Sequence, residues 1–178
     1  NALFFPMHVC EVAIRNAVSE AIGKVHGPNW PYSRAFQQTL PDLRGPTFNP
    51  RNELKKIATK HPGAPGKVIA DLKFIFWETM FTQRFCTQIW HKSIHNVLPY
   101  ASANIPAATP VMLVSHVHTR LGKIRGIRNR IAHHEPIFSE NLSQILDASK
   151  ELVHLRCKST HAWLQQSESV SLYLSNPA

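Results

Sequence analysis

The sequence has few cysteines, no long apolar run and few acidic residues, and each shortage excludes a class of protein. It has three cysteines, Cys10, Cys86 and Cys157. An odd number of distant cysteines without a CxxC pair argues against a disulfide framework and a zinc ribbon. No uninterrupted apolar run is long enough to span a bilayer, and residues 1–16 lack the basic region of a signal peptide. We therefore expect a cytoplasmic protein with reduced thiols and no membrane association.

Acidic residues are scarce relative to basic ones. Lysine and arginine total 20 against 11 aspartates and glutamates, which gives a formal net charge of +9. A surplus of this size favours polyanionic partners such as nucleic acid. Hydrophobic residues make up 43% of the 178 residues, which is enough to bury a core in one domain over 1–178.

Alternating patterns typical of strands are absent, whereas helical spacing of apolar residues recurs along the chain. The sequence predicts helices over 7–26, 49–60, 109–134 and from Ser139 onward, one long helix or two abutting helices over 67–98, and a further short helix near 161–165. The connections 28–48 and 99–108 are expected to be irregular. The predicted fold is all-α, a single-domain bundle of about four or five main helices.

The segment 67–98 is also rich in aromatic residues. Their helical spacing favours packing in the core over stacking on nucleic-acid bases. The aromatic side chains that we expect to be buried are Phe74, Phe76, Trp77, Phe81, Phe85 and Trp90.

Residues 128–136, RNRIAHHEP, gather polar side chains at the end of a predicted helix. Residues four apart share a helical face, so Asn129 and His133 are expected to be exposed neighbours. The long side chain of Arg128 can swing toward His133. The negative end of the helix dipole favours a protonated His133, which could act as a general acid. Arg128 could hold a phosphate.

These groups suit metal-free cleavage of RNA at the 2′-hydroxyl, with the histidine moving a proton and the arginine stabilising phosphoryl charge. General acid and general base catalysis together need a second imidazole, which could come from a second copy of the chain or from His134. The alternative is that arginine, asparagine and histidine only cap the end of the helix.

The other histidines do not match a zinc signature. His91 and His95 are four residues apart, and His116 lies close to His118 in the sequence. We predict that these histidines are structural or solvent-exposed, and that the protein needs no metal and no cofactor.

The segment Arg128-Asn129-Arg130-Ile131-Ala132-His133 fits the R-x4-H pattern of the HEPN superfamily. The longer string IRNRIAHHEPIF (127–138) resembles the Abi-like (abortive infection) branch of that superfamily. EVAIRNAV (11–18) resembles its first-helix signature, and DLKFIFWETMF (71–81), followed by IW (89–90), resembles its central apolar helix. The central block differs at residues 73–75, Lys-Phe-Ile, where the resemblance predicts a small polar residue and a glycine.

The resemblance implies an all-α HEPN-like bundle, homodimers with facing motifs, and metal-independent endoribonuclease activity in phage defence or as a toxin with an antitoxin or regulatory partner. It implies that the catalytic residues are Arg128, Asn129 and His133. The residues expected to support the site or to bind RNA are Arg130, His134, Glu11 and Arg15. Glu11 and Arg15 are one helical turn apart and are expected to form an ion pair.

The sequence is also compatible with two other functions. The same basic face could belong to an RNA-binding module that does not cut, and such a module would tolerate loss of His133. Alternatively, the chain could be a structural helical dimer in which Gly126 marks a helix–helix contact, with no salt-dependent RNA binding.

Overall fold

All regular secondary structure in the computed structural model is helical. The structure describes residues 2–45 and 47–175, and no strand occurs in them. The prediction of an all-α fold is therefore confirmed for the described chain. The predicted domain, 1–178, also includes Asn1, Pro46 and residues 176–178, which lie outside the described residues.

Eleven α-helices occupy the described residues, more than the four or five main helices that we predicted. They are α1 (Phe4–His26), α2 (Arg34–Thr39), α3 (Pro50–Lys60), α4 (Pro65–Asp71), α5 (Phe74–Met80), α6 (His91–Val97), α7 (Ala101–Asn104), α8 (Pro110–Ala132), α9 (Leu142–Arg156), α10 (Lys158–Ser167) and α11 (Val170–Ser175). Two 3-10 helices (Trp30–Tyr32 and Gln83–Phe85) and a π-helical stretch (Cys86–Trp90) lie between them. Most of the additional helices are short and fall where the sequence predicted connections or one longer helix.

Two helix starts were predicted correctly from local chemistry. The Asn49 side chain accepts a hydrogen bond from the Asn52 N–H at 2.9 Å, and Thr109 accepts one from the Met112 N–H at 3.3 Å. In both helices a proline follows the cap, where its missing N–H costs nothing. These caps fix the starts of α3 and α8.

The predicted start at Ser139 was wrong. Asn141 caps α9 instead, accepting a hydrogen bond from the Gln144 N–H at 3.0 Å. Residues 137–140 form a turn in which the Glu140 N–H donates to the Ile137 carbonyl at 3.1 Å, so Ser139 lies inside that turn.

The aromatic segment is broken rather than continuous. It forms α4, α5, the second 3-10 helix, the π-helical stretch and α6. The chain folds back because the Trp90 indole N–H donates to the Met80 carbonyl at 2.7 Å and the Trp90 ring stacks on Phe81, with centroids 4.4 Å apart. The burial of all six aromatic side chains predicted for the core is confirmed.

Helix α1 lies at the centre of the packing. It contacts α9 most extensively and also contacts α5, α6 and α8. The buried apolar side chains of these helices belong to one contiguous core. In residues 2–45 and 47–175, no helix combines the length and apolarity that crossing a membrane requires.

An ion pair joins α5 to α8. The Glu78 side chain is only 10% exposed, and Arg125 donates to both of its carboxylate oxygens, from Nη2 to Oε1 at 3.3 Å and from Nε to Oε2. A carboxylate this buried needs a cationic partner, so Arg125 stabilises the contact between the two helices.

A second buried ion pair joins α9 to the segment before α11. Lys150 Nζ lies 2.8 Å from Glu168 Oε1, and the Glu168 side chain is 2% exposed. Burial alone would raise the pKa of Glu168, but hydrogen bonds from Lys150 and Ser171 outweigh burial and lower this pKa to about 2. Folding therefore favours the ionised carboxylate.

We expect this ion pair to make the free energy of unfolding depend on pH in the acidic range. The unfolded chain protonates Glu168 near pH 4.5 and the folded chain near pH 2, so the contribution is present above pH 4.5 and is lost as the pH falls through that window. Glu168→Gln should lower the free energy of unfolding at pH 7 and flatten its fall between pH 4.5 and pH 3, measured by urea unfolding. The matched control is Asp147→Asn, on an exposed carboxyl of α9. Equal pH dependence in the two variants would contradict the assignment.

Candidate active site

The RNRIAHHEP stretch ends α8 in a Schellman turn. His133 is the C-cap residue. The His134 N–H donates to the Ile131 carbonyl at 3.1 Å, and the Glu135 N–H donates to the Arg130 carbonyl at 2.8 Å. This is the double hydrogen-bond pattern that satisfies the last carbonyls of a helix. His134 takes the left-handed position of the turn, with φ of 57°.

Arg130 is held by the chain that follows α8. Its Nη1 donates to Glu140 Oε1 at 2.6 Å, and its Nε lies 3.6 Å from Glu135 Oε2. These contacts fasten the loop after the helix to the helix itself. The Arg130 guanidinium would have to leave these two carboxylates in order to bind a phosphate. A role for Arg130 in RNA binding stays a prediction.

Arg128 points in another direction, toward α1. Its Nε lies 3.8 Å from Glu11 Oε2, with the arginine side chain 39% exposed and the glutamate side chain 18% exposed. The predicted ion pair between Glu11 and Arg15 does not form in the described chain, where Glu11 reaches Arg128 instead. The reason is that α8 packs beside this face of α1, and the sequence of one helix does not show its neighbour.

Arg128 and Glu11 lie on a small, partly enclosed cleft between α1, α5 and α8. The cleft is lined by Phe4, Met7, His8, Glu11, Phe74, Ile124 and Arg128. Apolar side chains therefore form most of its walls, and three polar side chains lie among them. Phe74 is one of the apolar wall residues, so an aromatic side chain lines the same cleft as Arg128.

Asn129 and His133 lie away from this cleft. Asn129 is half-buried and His133 is exposed; the His133 N–H donates to the Asn129 carbonyl at 2.9 Å. Among the hydrogen bonds and ion pairs of the described residues, none joins the side chains of Arg128 and His133. One helix end thus carries the predicted catalytic residues, but it presents Arg128 to α1 and His133 to solvent.

His8 was missed by the sequence analysis. It is exposed on α1 and lines the cleft that contains Arg128. The available signal was its spacing, because His8 and Glu11 are three residues apart and share a helical face. The sequence could not show that this face meets Arg128.

The histidines outside the site take no part in a metal cluster. His116 Nε2 lies 2.7 Å from Glu151 Oε1, and Arg120 donates to the other oxygen of that carboxylate. In the part of the chain that the structure describes, no three His, Cys, Asp or Glu side chains gather where they could hold a metal ion. The three cysteines are free thiols.

The left-handed residue of the Schellman turn gives a prediction about stability. We expect His134→Gly to raise the free energy of unfolding by about 1 kcal/mol, because glycine adopts a positive φ without a steric cost. Thermal unfolding should show a rise in Tm of about 2–4 °C. The matched control is His133→Gly, at a φ of −94°, which should lower stability. A fall in Tm for His134→Gly would mean that its side chain makes a stabilising contact.

Comparisons of the chain with models of known protein families, with curated proteins and with solved structures found no match.

Proposed function

We propose that this chain is a metal-independent endoribonuclease of the HEPN type. Arg128 stabilises the charge on the phosphoryl oxygens, His133 acts as general acid or base, and Asn129 supports them. The observation that carries the proposal is the position of Arg128. Its half-exposed guanidinium lies at the edge of a cleft, on the same helix end as an exposed imidazole, and its ion-pair partner is 3.8 Å away.

The charge of the chain supports RNA as the substrate. A net charge of +9 attracts a polyanion, and a guanidinium can hold a phosphate through two hydrogen bonds. The target is single-stranded or looped RNA, where the 2′-hydroxyl can align with the scissile bond.

The resemblance of the three sequence blocks to the Abi-like branch supports a biological role in phage defence or as a toxin. A ribonuclease with this role would act in the cytoplasm and would need control by an antitoxin or another regulatory partner. Residues 11–18 lie on α1, most of 71–81 on α5, and 127–132 on α8, and both α5 and α8 contact α1.

A homodimer with facing motifs fits the exposed end of α8. His133 and His134 are exposed there, and Phe138 in the following loop is 95% exposed. Among the large hydrophobic side chains of the described residues it is the most exposed, so it is accessible to a second copy. A second copy on this end would bring the two motifs face to face.

Cleavage of labelled single-stranded RNA in EDTA tests the activity. We expect the wild-type chain to cut, and His133→Ala to cut about 100-fold or more slowly, because a proton carrier is lost. Arg128→Gln should lose a similar factor, about 100-fold, since charge stabilisation at the phosphoryl group is lost. The matched control is His91→Ala, an exposed histidine on α6, which should cut like the wild type.

Two other outcomes of this assay would favour a different function. Salt-dependent RNA binding without cutting would favour the non-cleaving RNA-binding module. The absence of both cutting and binding would favour the structural helical dimer.

The proposed dimer predicts that Phe138→Asp yields a monomer, because the substitution places a charge in the interface. Sedimentation velocity should show a dimer for the wild type and a monomer for this variant. Leu172→Asp, on the 68% exposed Leu172 of α11, is the control and should leave the dimer intact. A monomeric wild-type chain would contradict the facing-motif arrangement.

A further inference from the structure

The cleft beside Arg128 contains an imidazole to which the proposed function gives no role. Phe4, Met7, His8 and Glu11 follow helical spacing along α1, so they form one face of this helix. That face meets Ile124 and Arg128 of α8 and Phe74 of α5. His8 thus lies on the same cleft as the arginine proposed to hold phosphate.

The His8 side chain is exposed, and within the described residues its ring takes part in no hydrogen bond or ion pair. Of the imidazoles in residues 2–45 and 47–175, His8 is the one that lines this cleft, whereas His133 and His134 do not. His8 is therefore the imidazole on the cleft side of a phosphate bound to Arg128.

The groups around His8 suit this role. In the cleft, the charged neighbours are Glu11 on its own helix and Arg128 on α8, while α5 contributes the apolar Phe74. On its other side His8 borders a groove lined by Arg156 at the end of α9, and by Cys157, Thr160 and Trp163 at and within α10. A carboxylate one turn along the helix can orient a neighbouring imidazole.

We infer that His8 is the second proton-transfer residue of the site, which takes the proton from the 2′-hydroxyl of the nucleotide whose phosphate Arg128 holds. The inference rests on the proposed ribonuclease function. Neutral His8 accepts the 2′-OH proton, the 2′-oxygen bonds to phosphorus, and the bond from phosphorus to the 5′-oxygen breaks. The 5′-oxygen leaves on the side of phosphorus opposite to the attacking 2′-oxygen, outside the cleft, and there takes a proton from the His133 imidazolium. The products are a 2′,3′-cyclic phosphate and a 5′-hydroxyl, after which His8 returns its proton to water and His133 regains one.

The experiment compares wild type, His8→Ala, His8→Gln and His91→Ala on one labelled RNA in EDTA, across pH 5 to pH 9. For His8→Ala we expect kcat to fall about 100-fold or more, with KM within about twofold, since a base acts on the reacting atom and not on binding. The acidic limb of the kcat/KM profile should flatten, because that limb reports the deprotonation of the base. Added imidazole should restore part of the rate in His8→Ala, because it can replace the missing base.

The outcomes separate this inference from the function on which it rests. If the wild type cuts and His8→Ala cuts equally fast with an unchanged pH profile, His8 is not the base, although the ribonuclease stands. A slower His8→Ala with raised KM, an intact acidic limb and no imidazole rescue would make His8 a binding residue and would also overturn the inference. A wild type that does not cut would overturn both proposals. Circular dichroism and Tm show whether each variant is folded, and His8→Gln preserves most of the side-chain volume.

Discussion

The ion pair between Glu78 of α5 and Arg125 of α8 sets the geometry on which the cleft depends. The carboxylate is nearly buried, so removing the guanidinium would leave a desolvated charge without a partner, a loss of about 3 kcal/mol when burial is complete. Arg125 precedes Arg128 by about one helical turn, and Phe74 precedes Glu78 by one turn on α5. The contact that satisfies Glu78 therefore also holds Arg128 and Phe74 in a fixed position relative to each other, on helices that both pack against α1.

The three arginines near the end of α8 differ in how firmly they are held. Arg125 is bound to a nearly buried carboxylate, and Arg130 donates to Glu140 at 2.6 Å. The contact of Arg128 with Glu11 is looser, at 3.8 Å and partly exposed. Pairs of this kind contribute about 0–1 kcal/mol, whereas a bidentate charge-assisted contact with phosphate is stronger. A phosphate can therefore displace Glu11 from Arg128 at low cost, whereas it would have to break structural contacts at the other two.

The parts of the fold that local chemistry determines could be predicted from the sequence. Asn49 and Thr109 cap their helices through bonds to N–H groups three residues away, and apolar spacing identified α1 and α8. The broken aromatic segment could not be predicted in this way. Its break depends on the bond between Trp90 and the Met80 carbonyl and on the stacking of Trp90 and Phe81, which bring together residues nine or ten positions apart. A run of helical spacing does not contain that information.

In the candidate site, too, features within one helix could be predicted from the sequence, whereas contacts between helices could not. Helical spacing correctly placed His133 at the exposed end of α8, because exposure on one helix follows from the pattern of that helix. The same reasoning applied to α1 paired Glu11 with Arg15, one turn away, and the structure pairs Glu11 with Arg128. A contact between helices depends on which faces meet, and the faces of α1 and α8 meet through a core that many residues build together. His8 was overlooked for this reason: in the sequence it is one histidine among eleven, and the proposal for it rests on the cleft that it shares with Arg128.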